Sequence, residues 1–353
     1  MYVRLPVDQG ENSIGRFPDG STINDTGYAC EAAHLVQSWR EAFSVRPNST
    51  SPTAPFGLVT LAAGTSEGHG KEMPSFRQAQ MGSYQQAPNR AMPNAFVAAA
   101  HDLGDPCYRG ANCSGTKWAQ SYAHSYMGPI HPRIKVLPAE RLATAAAALH
   151  WRSLPDSLAS PPTGLPSSDI VGSSRSLALT GPTFAGCKMD SAAQRLALFF
   201  AAPIVQAGKP MTDKILVKAY NAAENNSATE VQVNVTGFAR SGRPISSLEW
   251  FPLNITTQDG GTAVVVDLST LPLADPEASA GPRLRPLAVR FAWEDTPCCA
   301  YEMRAGLPCL PENCPIFGQE SDLPAMPFMA AITESGECEC QPPITCNASA
   351  SML

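Results

Sequence analysis

Three polar side chains of this sequence have the chemical types that a serine-type hydrolase uses around its nucleophile. Such an enzyme needs a nucleophile, a base within hydrogen-bonding reach, usually a group that orients the base, and donors aimed at the developing oxyanion. His131 is the candidate base, and Asp105 and Asp102 are the candidate orienting acids. The residue types therefore point to acyl transfer with histidine as the proton acceptor.

The position of His131 favours a catalytic role, although a lone loop histidine is more often a surface or internally satisfied one. His131 lies between an apolar segment, Phe96 to Leu103, and a helix pattern that starts at Pro138. Residues at such strand-to-helix loops are where α/β folds place working groups. The orienting acid stays open. Aspartates at a strand end also cap turns, and a backbone carbonyl can orient a histidine instead.

The nucleophile is the missing part of this set. The stretch Gly64-Thr65-Ser66-Glu67-Gly68 fits the Gly-x-Ser-x-Gly pattern of a nucleophile elbow. That elbow requires a helix directly after the serine, whereas the following residues, Gly68 to Pro74, are typical of a loop. We therefore interpret Ser66 as a chance match in a glycine-rich loop and assign no nucleophile in this sequence.

Several segments, in the same order along the chain, resemble the sialate O-acetylesterases, an SGNH/SASA-type branch of the carbohydrate esterases. They are Gln9-Gly10-Glu11, Trp39-Arg40, Phe56 to Val59, Phe76 to Gln80, Asp102 to Asp105, Ile130 to Lys135, Arg290 to Trp293 and Leu323 to Phe328. The resemblance runs from Gln9 to about Thr333, with insertions around 107–126 and 275–285. It also implies a cystine-stapled loop that pairs Cys298 or Cys299 with Cys314.

The resemblance implies a mechanism for hydrolysing O-acetyl esters on carbohydrates. An upstream serine attacks the acetyl carbonyl, and His131 takes the serine proton and later activates water. Gln9, within the candidate oxyanion and substrate group Gln9, Gly10, Glu11 and Asn12, holds the oxyanion. No metal or other cofactor is implied. An acetylxylan-type or other polysaccharide acetylesterase and a non-catalytic carbohydrate-associated fragment remain the alternatives.

Three departures from the family pattern suggest that the chain lacks the first half of the active site. The family's Gly-Gln-Ser-Asn turn, which carries the serine, is absent, and Arg4 to Asp8 replaces the apolar strand before Gln9. Asn12 also precedes Ser13, whereas in the family a serine precedes the asparagine. We expect that the chain is N-terminally truncated, that Met1 is not the natural start, and that the chain is inactive in isolation.

Composition limits the partners and the compartment. The 353 residues carry a net charge of −6 without a basic run, which argues against nucleic acid, and no apolar stretch is long enough to span a bilayer. Eleven cysteines and seven Asn-x-Ser/Thr sequons favour a secretory, extracellular or lysosomal/vacuolar environment, with disulfides rather than zinc. The sequons are at Asn24, Asn48, Asn112, Asn225, Asn234, Asn254 and Asn347. The oligomeric state is left open.

Periodicity divides the chain into an α/β part and a β-rich part. Helices are predicted at 28–43 and 138–151 and buried strands at 56–63 and 96–103. Five short strand segments follow residue 195. We expect an α/β fold, the C-terminal part of an SGNH-hydrolase (flavodoxin-like) three-layer domain followed by a β-sandwich-like module. The expected divisions are 1–152 for the esterase part, 153–169 for a Pro/Ser-rich linker, 170–334 for the β-rich module and 335–353 for a cysteine-containing tail.

Overall fold

The computed structural model describes most of the expected α/β part and β-rich part. The described residues are 14–16, 22–24, 26–46, 49–63, 73–82, 86–104, 132, 134–152, 177–206, 209–217, 231–236, 249–258, 260–261, 263–271, 285–293, 297–298 and 314–340. All structural statements below concern these residues.

The α/β part is organised around two parallel strands. A small antiparallel pair precedes it, β1 (Ile14–Arg16) with β2 (Thr22–Asn24). The parallel strands β3 (Phe56–Val59) and β4 (Ala95–Ala98) pair with Phe56 opposite Ala95 and Val59 opposite Ala98. Both are apolar without alternation because helices cover the strands on both faces. The predicted strands are confirmed, although each is shorter than its apolar run.

Three helices accompany these strands. They are α1 (Thr26–Ser44), α2 (Met73–Ala79) and α3 (Val136–Arg152). In α1, Val36 packs with Phe56 and Leu58 in one buried cluster. In α3, Ala145 and Leu149 pack against Phe96. Both long helices confirm the predicted periodicity, since the buried residues recur at three- and four-residue spacing.

The β-rich part consists mainly of two antiparallel sheets around one apolar core. One sheet has the strand order β12-β11-β15-β17-β18 and the other β13-β14-β7-β6. The strands of these two sheets are β6 (Thr183–Asp190), β7 (Arg195–Ala201), β11 (Val231–Thr236), β12 (Trp250–Pro252), β13 (Ile255–Thr257), β14 (Ala263–Asp267), β15 (Arg285–Phe291), β17 (Phe328–Ile332) and β18 (Cys338–Cys340). A single 3-10 turn, Leu268–Thr270, follows β14.

Two smaller sheets complete the described strands. Strands β5 (Leu177–Ala178), β8 (Pro203–Gln206) and β9 (Lys209–Thr212) form one, and β10 (Ile215–Val217) pairs with β16 (Ile316–Gly318) in the other. All five strand segments predicted after residue 195 are confirmed as strands.

Alternation of side chains builds the core between the two larger sheets. Leu196 and Leu198 of β7 and Val231 and Val233 of β11 are fully buried at every second position. Phe184, Phe200, Phe291 and Phe328 fill the centre, where the rings of Phe184 and Phe328 stack with centroids 4.0 Å apart. This arrangement is a mixed α/β and β-rich architecture with a sandwich-like core.

Residues assigned to a separate tail by the sequence analysis continue the β-rich part. Strand β18 pairs with β17, and Cys338 forms a disulfide with Cys187 of β6. Glu337 also forms a bridge to Lys188. The described residues up to Cys340 therefore belong to the sheet rather than to an appended segment.

The segment between β16 and β17 joins the two parts. Met326 packs in the apolar cluster of Val36 and Phe56, and its backbone N–H donates to the Pro182 carbonyl at 2.8 Å. Gly181 lies so close to the Pro324 carbonyl that a methyl group there would overlap it. The Met326 side chain therefore packs the β-rich part onto the α/β part, and the backbone contacts with Pro182 and Gly181 fix the Pro324–Met326 segment within the β-rich part.

Two further observations bear on the predicted environment. Among the described helices, none combines the length and apolarity that a bilayer crossing requires. Asn234, one of the seven sequons, is buried, and its side-chain amide donates to the Glu249 carbonyl at 2.8 Å. Asn234 is 4% exposed, so a glycan could be attached there only if the side chain left its buried position, whereas Asn254 is exposed.

Candidate active site

The candidate site lies at the carboxyl ends of the two parallel strands. There the chain leaves β3 through residues 60–63 and leaves β4 through residues 99–104. Thr60 ties the two exits together, since its Oγ1 accepts from the Ala100 N–H at 2.9 Å and its own N–H donates to the Ala98 carbonyl. In open α/β sheets this edge is where ligands bind.

Helix α2 and the turn after it hold the exit from β3 through buried polar side chains. Arg77 is 2% exposed and donates from Nε to the Leu61 carbonyl at 3.0 Å and from Nη2 to the Ala62 carbonyl at 2.8 Å. Gln80 accepts from the Leu61 N–H through Oε1 at 2.8 Å. The backbone of this exit is thereby fixed even though it forms no strand, which is the kind of support that a preorganised site needs.

The exit from β4 contains a buried ion pair between Asp102 and Arg141. Asp102 is fully buried, and Arg141 of α3 donates to its Oδ1 at 2.6 Å and to its Oδ2 at 2.7 Å. The same Arg141 Nη1 also donates to the Ala99 carbonyl at 2.6 Å. Bidentate pairing of this kind fixes the orientation of the carboxylate.

Arg141 was not identified from the sequence, although a signal for it exists. It lies four and eight residues before Ala145 and Leu149, which form the buried face of α3. A basic residue on the apolar stripe of a helix needs a buried anionic partner. Applied to α3, this rule would have directed attention to an acid at the end of β4.

His101 is the second buried polar group at this edge, and the sequence analysis gave it no role. It is 1% exposed, and burial lowers its pKa to about 4; the Asp102 carboxylate opposes this shift, whereas Arg77 and Arg141 add to it. A hydrogen bond links His101 to the Ala325 backbone of the β-rich part. His101 is therefore a neutral imidazole at pH 7 at the contact between the two parts.

Most of the predicted site residues lie outside the described part of the chain. These are His131, Asp105, Gln9, Gly10, Glu11 and Asn12, and Ser66 of the rejected elbow lies outside it as well. Of the site residues predicted from the sequence, the structure describes Asp102 alone. Both of its oxygens are bound to Arg141, and its predicted role as a partner of His131 stays a prediction.

The described residues that flank Asp105 and His131 nevertheless lie at the carboxyl ends of the two parallel strands. Gly104, one position before Asp105, packs against the backbone of Ala63. Leu137, six positions after His131, packs with Ala62, Ala100 and Leu103. Both segments that flank the predicted base and acid thus reach the exits of β3 and β4.

Comparisons with known proteins agree with this reading of the chain. Sialate O-acetylesterase of Homo sapiens is 25% identical over 334 residues, which cover 93% of this chain and 46% of that protein. Sialate O-acetylesterase of Rattus norvegicus is 27% identical over 338 residues, with 93% and 44% covered, and that of Pongo abelii is 26% identical over 332 residues, with 92% and 45% covered.

The comparisons also define what the similarity spans. The chain spans less than half the length of the curated relatives it matches. No family model matches the chain. The resemblance inferred from the sequence motifs is confirmed by these relatives, and the chain is sialate O-acetylesterase-like.

Proposed function

We propose that this chain is part of a carbohydrate O-acetylesterase that removes acetyl groups from O-acetylated sialic acid. The observation that carries the proposal is the similarity to proteins named sialate O-acetylesterase over 93% of the chain. The hydrogen-bonded segments that follow the two parallel strands add support, because catalytic and binding residues of α/β enzymes lie at this edge of the sheet. The fold is proposed to be that of the SGNH hydrolases.

The proposed chemistry is acyl transfer through a serine. The serine hydroxyl attacks the acetyl carbonyl while His131 takes its proton, and the sugar hydroxyl leaves with that proton. His131 then deprotonates water, which attacks the acetyl-enzyme, so that acetate leaves and the serine is restored. The Gln9 amide donates to the oxyanion in both steps. No serine of this sequence is assigned the nucleophilic role, which belongs to a Gly-Gln-Ser-Asn turn.

The Arg141–Asp102 ion pair leads us to propose different roles for the two candidate acids, Asp102 and Asp105. Asp102 has both oxygens bound to Arg141, so it shapes the exit from β4. Asp105, three positions later, is the proposed partner of the His131 imidazole. Gly104 between them packs on Ala63 and keeps the segment against the exit from β3.

Two disulfides between described cysteines support an oxidising compartment for this protein. Cys187 is bound to Cys338 and Cys298 to Cys314. Such bonds form and persist in secreted, extracellular and other secretory-pathway proteins. We therefore propose a secretory location, extracellular or lysosomal/vacuolar.

Acetate release tests the proposal. O-acetylated sialic acid and acetylated xylan are incubated with the 353-residue chain and with the chain joined to a preceding segment that contains a Gly-Gln-Ser-Asn turn. We expect activity on the sialic acid with the joined protein, and a loss of at least about 100-fold in kcat for His131→Ala. His150→Ala is the matched control, because His150 is exposed at the end of α3.

Three results would contradict parts of this proposal. Faster release from xylan would favour the polysaccharide esterase alternative. Activity of the 353-residue chain alone that disappears in Ser66→Ala would return the nucleophile to Ser66. Near-normal activity of His131→Ala would reject the assigned base.

A further inference from the structure

The Cys298–Cys314 disulfide and His101 form a buried cluster between the two parts of the molecule. A ring nitrogen of His101 and the two sulfur atoms all lie within 4.8 Å of one another. His101, Cys298 and Cys314 are 1%, 3% and 0% exposed. We call these three residues the His101 cluster. His101 lies in the exit from β4, Cys298 follows β15, and Cys314 lies two residues before β16.

The imidazole of His101 has one nitrogen without a partner. Nε2 is buried and finds no hydrogen-bond partner among the described residues. The hydrogen bond to the Ala325 backbone therefore uses Nδ1. A buried polar atom without a partner is destabilising, so its presence needs a physical reason.

The arrangement of His101 is that of a metal ligand. Histidines that bind metals almost always donate the other ring N–H to a carboxylate, a backbone carbonyl or water, which fixes the tautomer and the ring orientation. In His101 the Nδ1–H contacts the Ala325 backbone, so Nε2 carries the lone pair. Two cysteine sulfurs and one imidazole nitrogen are the donors that zinc prefers.

We propose that, when Cys298 and Cys314 are thiols, the His101 cluster binds one thiophilic d10 metal ion, with Zn²⁺ as the ion to test. Nε2 of His101 and the two thiolates are the ligands, and a water molecule or a small thiol completes the tetrahedron. Binding releases the two thiol protons. The two thiolate charges balance the two charges of the ion, which removes the cost of burying an uncompensated charge.

The change from disulfide to metal site requires only a small movement. The two Cα atoms are 4.5 Å apart in the disulfide. With Zn–S bonds of about 2.3 Å at a tetrahedral centre, the sulfurs of the metal form lie roughly 3.8 Å apart. Rotation of the two cysteine side chains with a slight separation of their backbones accommodates this change.

The redox state decides which form exists. Cysteines are incorporated into a new chain as thiols, so the metal site precedes the disulfide. Oxidation takes two electrons from the two thiolates and passes them to a disulfide such as that of oxidised glutathione, which takes up two protons from the solvent and leaves as two thiols, and the ion is expelled. In an oxidising compartment the disulfide is the final state, and the metal form belongs to the newly made or reduced protein.

Zinc binding to the full chain tests this proposal without any measurement of esterase activity. The protein is reduced with a phosphine, whose oxidation to the phosphine oxide supplies both electrons, and thiols are mapped by alkylation and mass spectrometry. Bound Zn²⁺ is then measured against a chromophoric chelator. We expect the reduced protein to hold one more Zn²⁺ equivalent at high affinity than the oxidised protein does.

Three variants locate the bound ion. His101→Gln and the double variant Cys298→Ser/Cys314→Ser should each bind this Zn²⁺ at least about 10-fold more weakly, because each removes ligands. The double variant Cys187→Ser/Cys338→Ser is the matched control, since it removes the other described disulfide and leaves the His101 cluster intact. It should bind as the wild type does.

A second measurement avoids any folding defect of the variants. When reduced wild-type protein is reoxidised with oxidised glutathione, Zn²⁺ should delay the formation of Cys298–Cys314 at least about 10-fold and leave that of Cys187–Cys338 unchanged. Equal Zn²⁺ binding by the wild type and His101→Gln would overturn the proposal. An equal delay for both disulfides, no delay at all, or a Cys298–Cys314 bond that cannot be reduced in folded protein would overturn it as well.

Discussion

Arg141 of α3 binds both carboxylate oxygens of Asp102, at 2.6 and 2.7 Å, across the exit from β4. The pair is buried, with Asp102 fully enclosed and the Arg141 side chain 12% exposed. It connects the helix that follows the predicted base to the strand that precedes the predicted acid. Helix α3 therefore fixes one boundary of the candidate site.

Removing the arginine should strongly destabilise the protein. Arg141→Leu leaves the Asp102 carboxylate buried without its partner, and we expect the free energy of unfolding to fall by about 3 kcal/mol or more. Urea denaturation measures this change. Arg285→Leu is the control, because the Arg285–Glu334 pair has side chains 44% and 87% exposed, and its loss should cost less than about 1 kcal/mol. Similar losses in both variants would contradict the interpretation.

Burial of His101 should make stability depend on pH in the acid range. Its pKa is lowered from 6.5 to about 4 in the folded protein, so the unfolded chain binds the proton more readily. The free energy of unfolding should therefore fall as pH drops from about 6.5 to about 4, by about 3 kcal/mol from this group. Asp102, Arg77 and Arg141 face it, and the first opposes this shift.

Chemical denaturation of the oxidised, metal-free protein at a series of pH values checks this expectation. His101→Gln should lose that part of the slope, whereas His150→Ala should retain it because His150 is exposed. An identical pH profile for His101→Gln and the wild type would show that another group is responsible.

The disulfides Cys187–Cys338 and Cys298–Cys314 should contribute unequally to the free energy of unfolding. Cys187 and Cys338 are 151 residues apart, whereas Cys298 and Cys314 are 16 apart. In the chain-entropy model the longer loop gives about 5 kcal/mol and the shorter about 3 kcal/mol. Thermal and urea unfolding of the two serine double variants should rank them in this order. The reverse order would mean that residual structure in the unfolded chain dominates.

Gly181 should not tolerate a side chain. A methyl group there would overlap the carbonyl of Pro324, which is backbone and cannot rotate away, so Gly181→Ala should cost about 3 kcal/mol and displace the Pro324–Met326 segment. Gly57→Ala is the control, because its methyl group would meet the side chains of Phe96 and Leu142, which can shift. Hydrogen exchange at the Met326 amide reports the contact, and unchanged protection would contradict this expectation.

Particular elements show which parts of the fold were predictable. The helices at 28–43 and 138–151 were predicted because apolar residues such as Val36 and Leu149 recur at the three- and four-residue spacing of a buried helix face. The staple at Cys298 and Cys314 followed from the family resemblance. The partner of Cys187 was left open, because cysteine spacing alone does not determine connectivity; the structure pairs it with Cys338. Strand β18 was assigned to a tail because the family resemblance ends near Thr333.

The site was less predictable than the fold. The resemblance supplied His131 and Gln9, which lie outside the described residues, so their roles remain predictions. Asp102 was named from the sequence as a candidate partner of His131, and that role stays a prediction; the partner that the structure describes for it is Arg141, which was not named from the sequence. Asn234 was counted among the sequons, although its amide is buried.

By itself, the sequence determined the two long helices, the two parallel strands, five strands of the β-rich part, the order of the two parts and the family likeness, because these depend on local pattern and motif order. Tertiary structure alone decided that Arg141 meets Asp102, that His101 meets the Ala325 backbone and that Cys187 meets Cys338. Each of these contacts joins residues from separate elements. Their proximity arises from packing around a shared core, which no local pattern encodes.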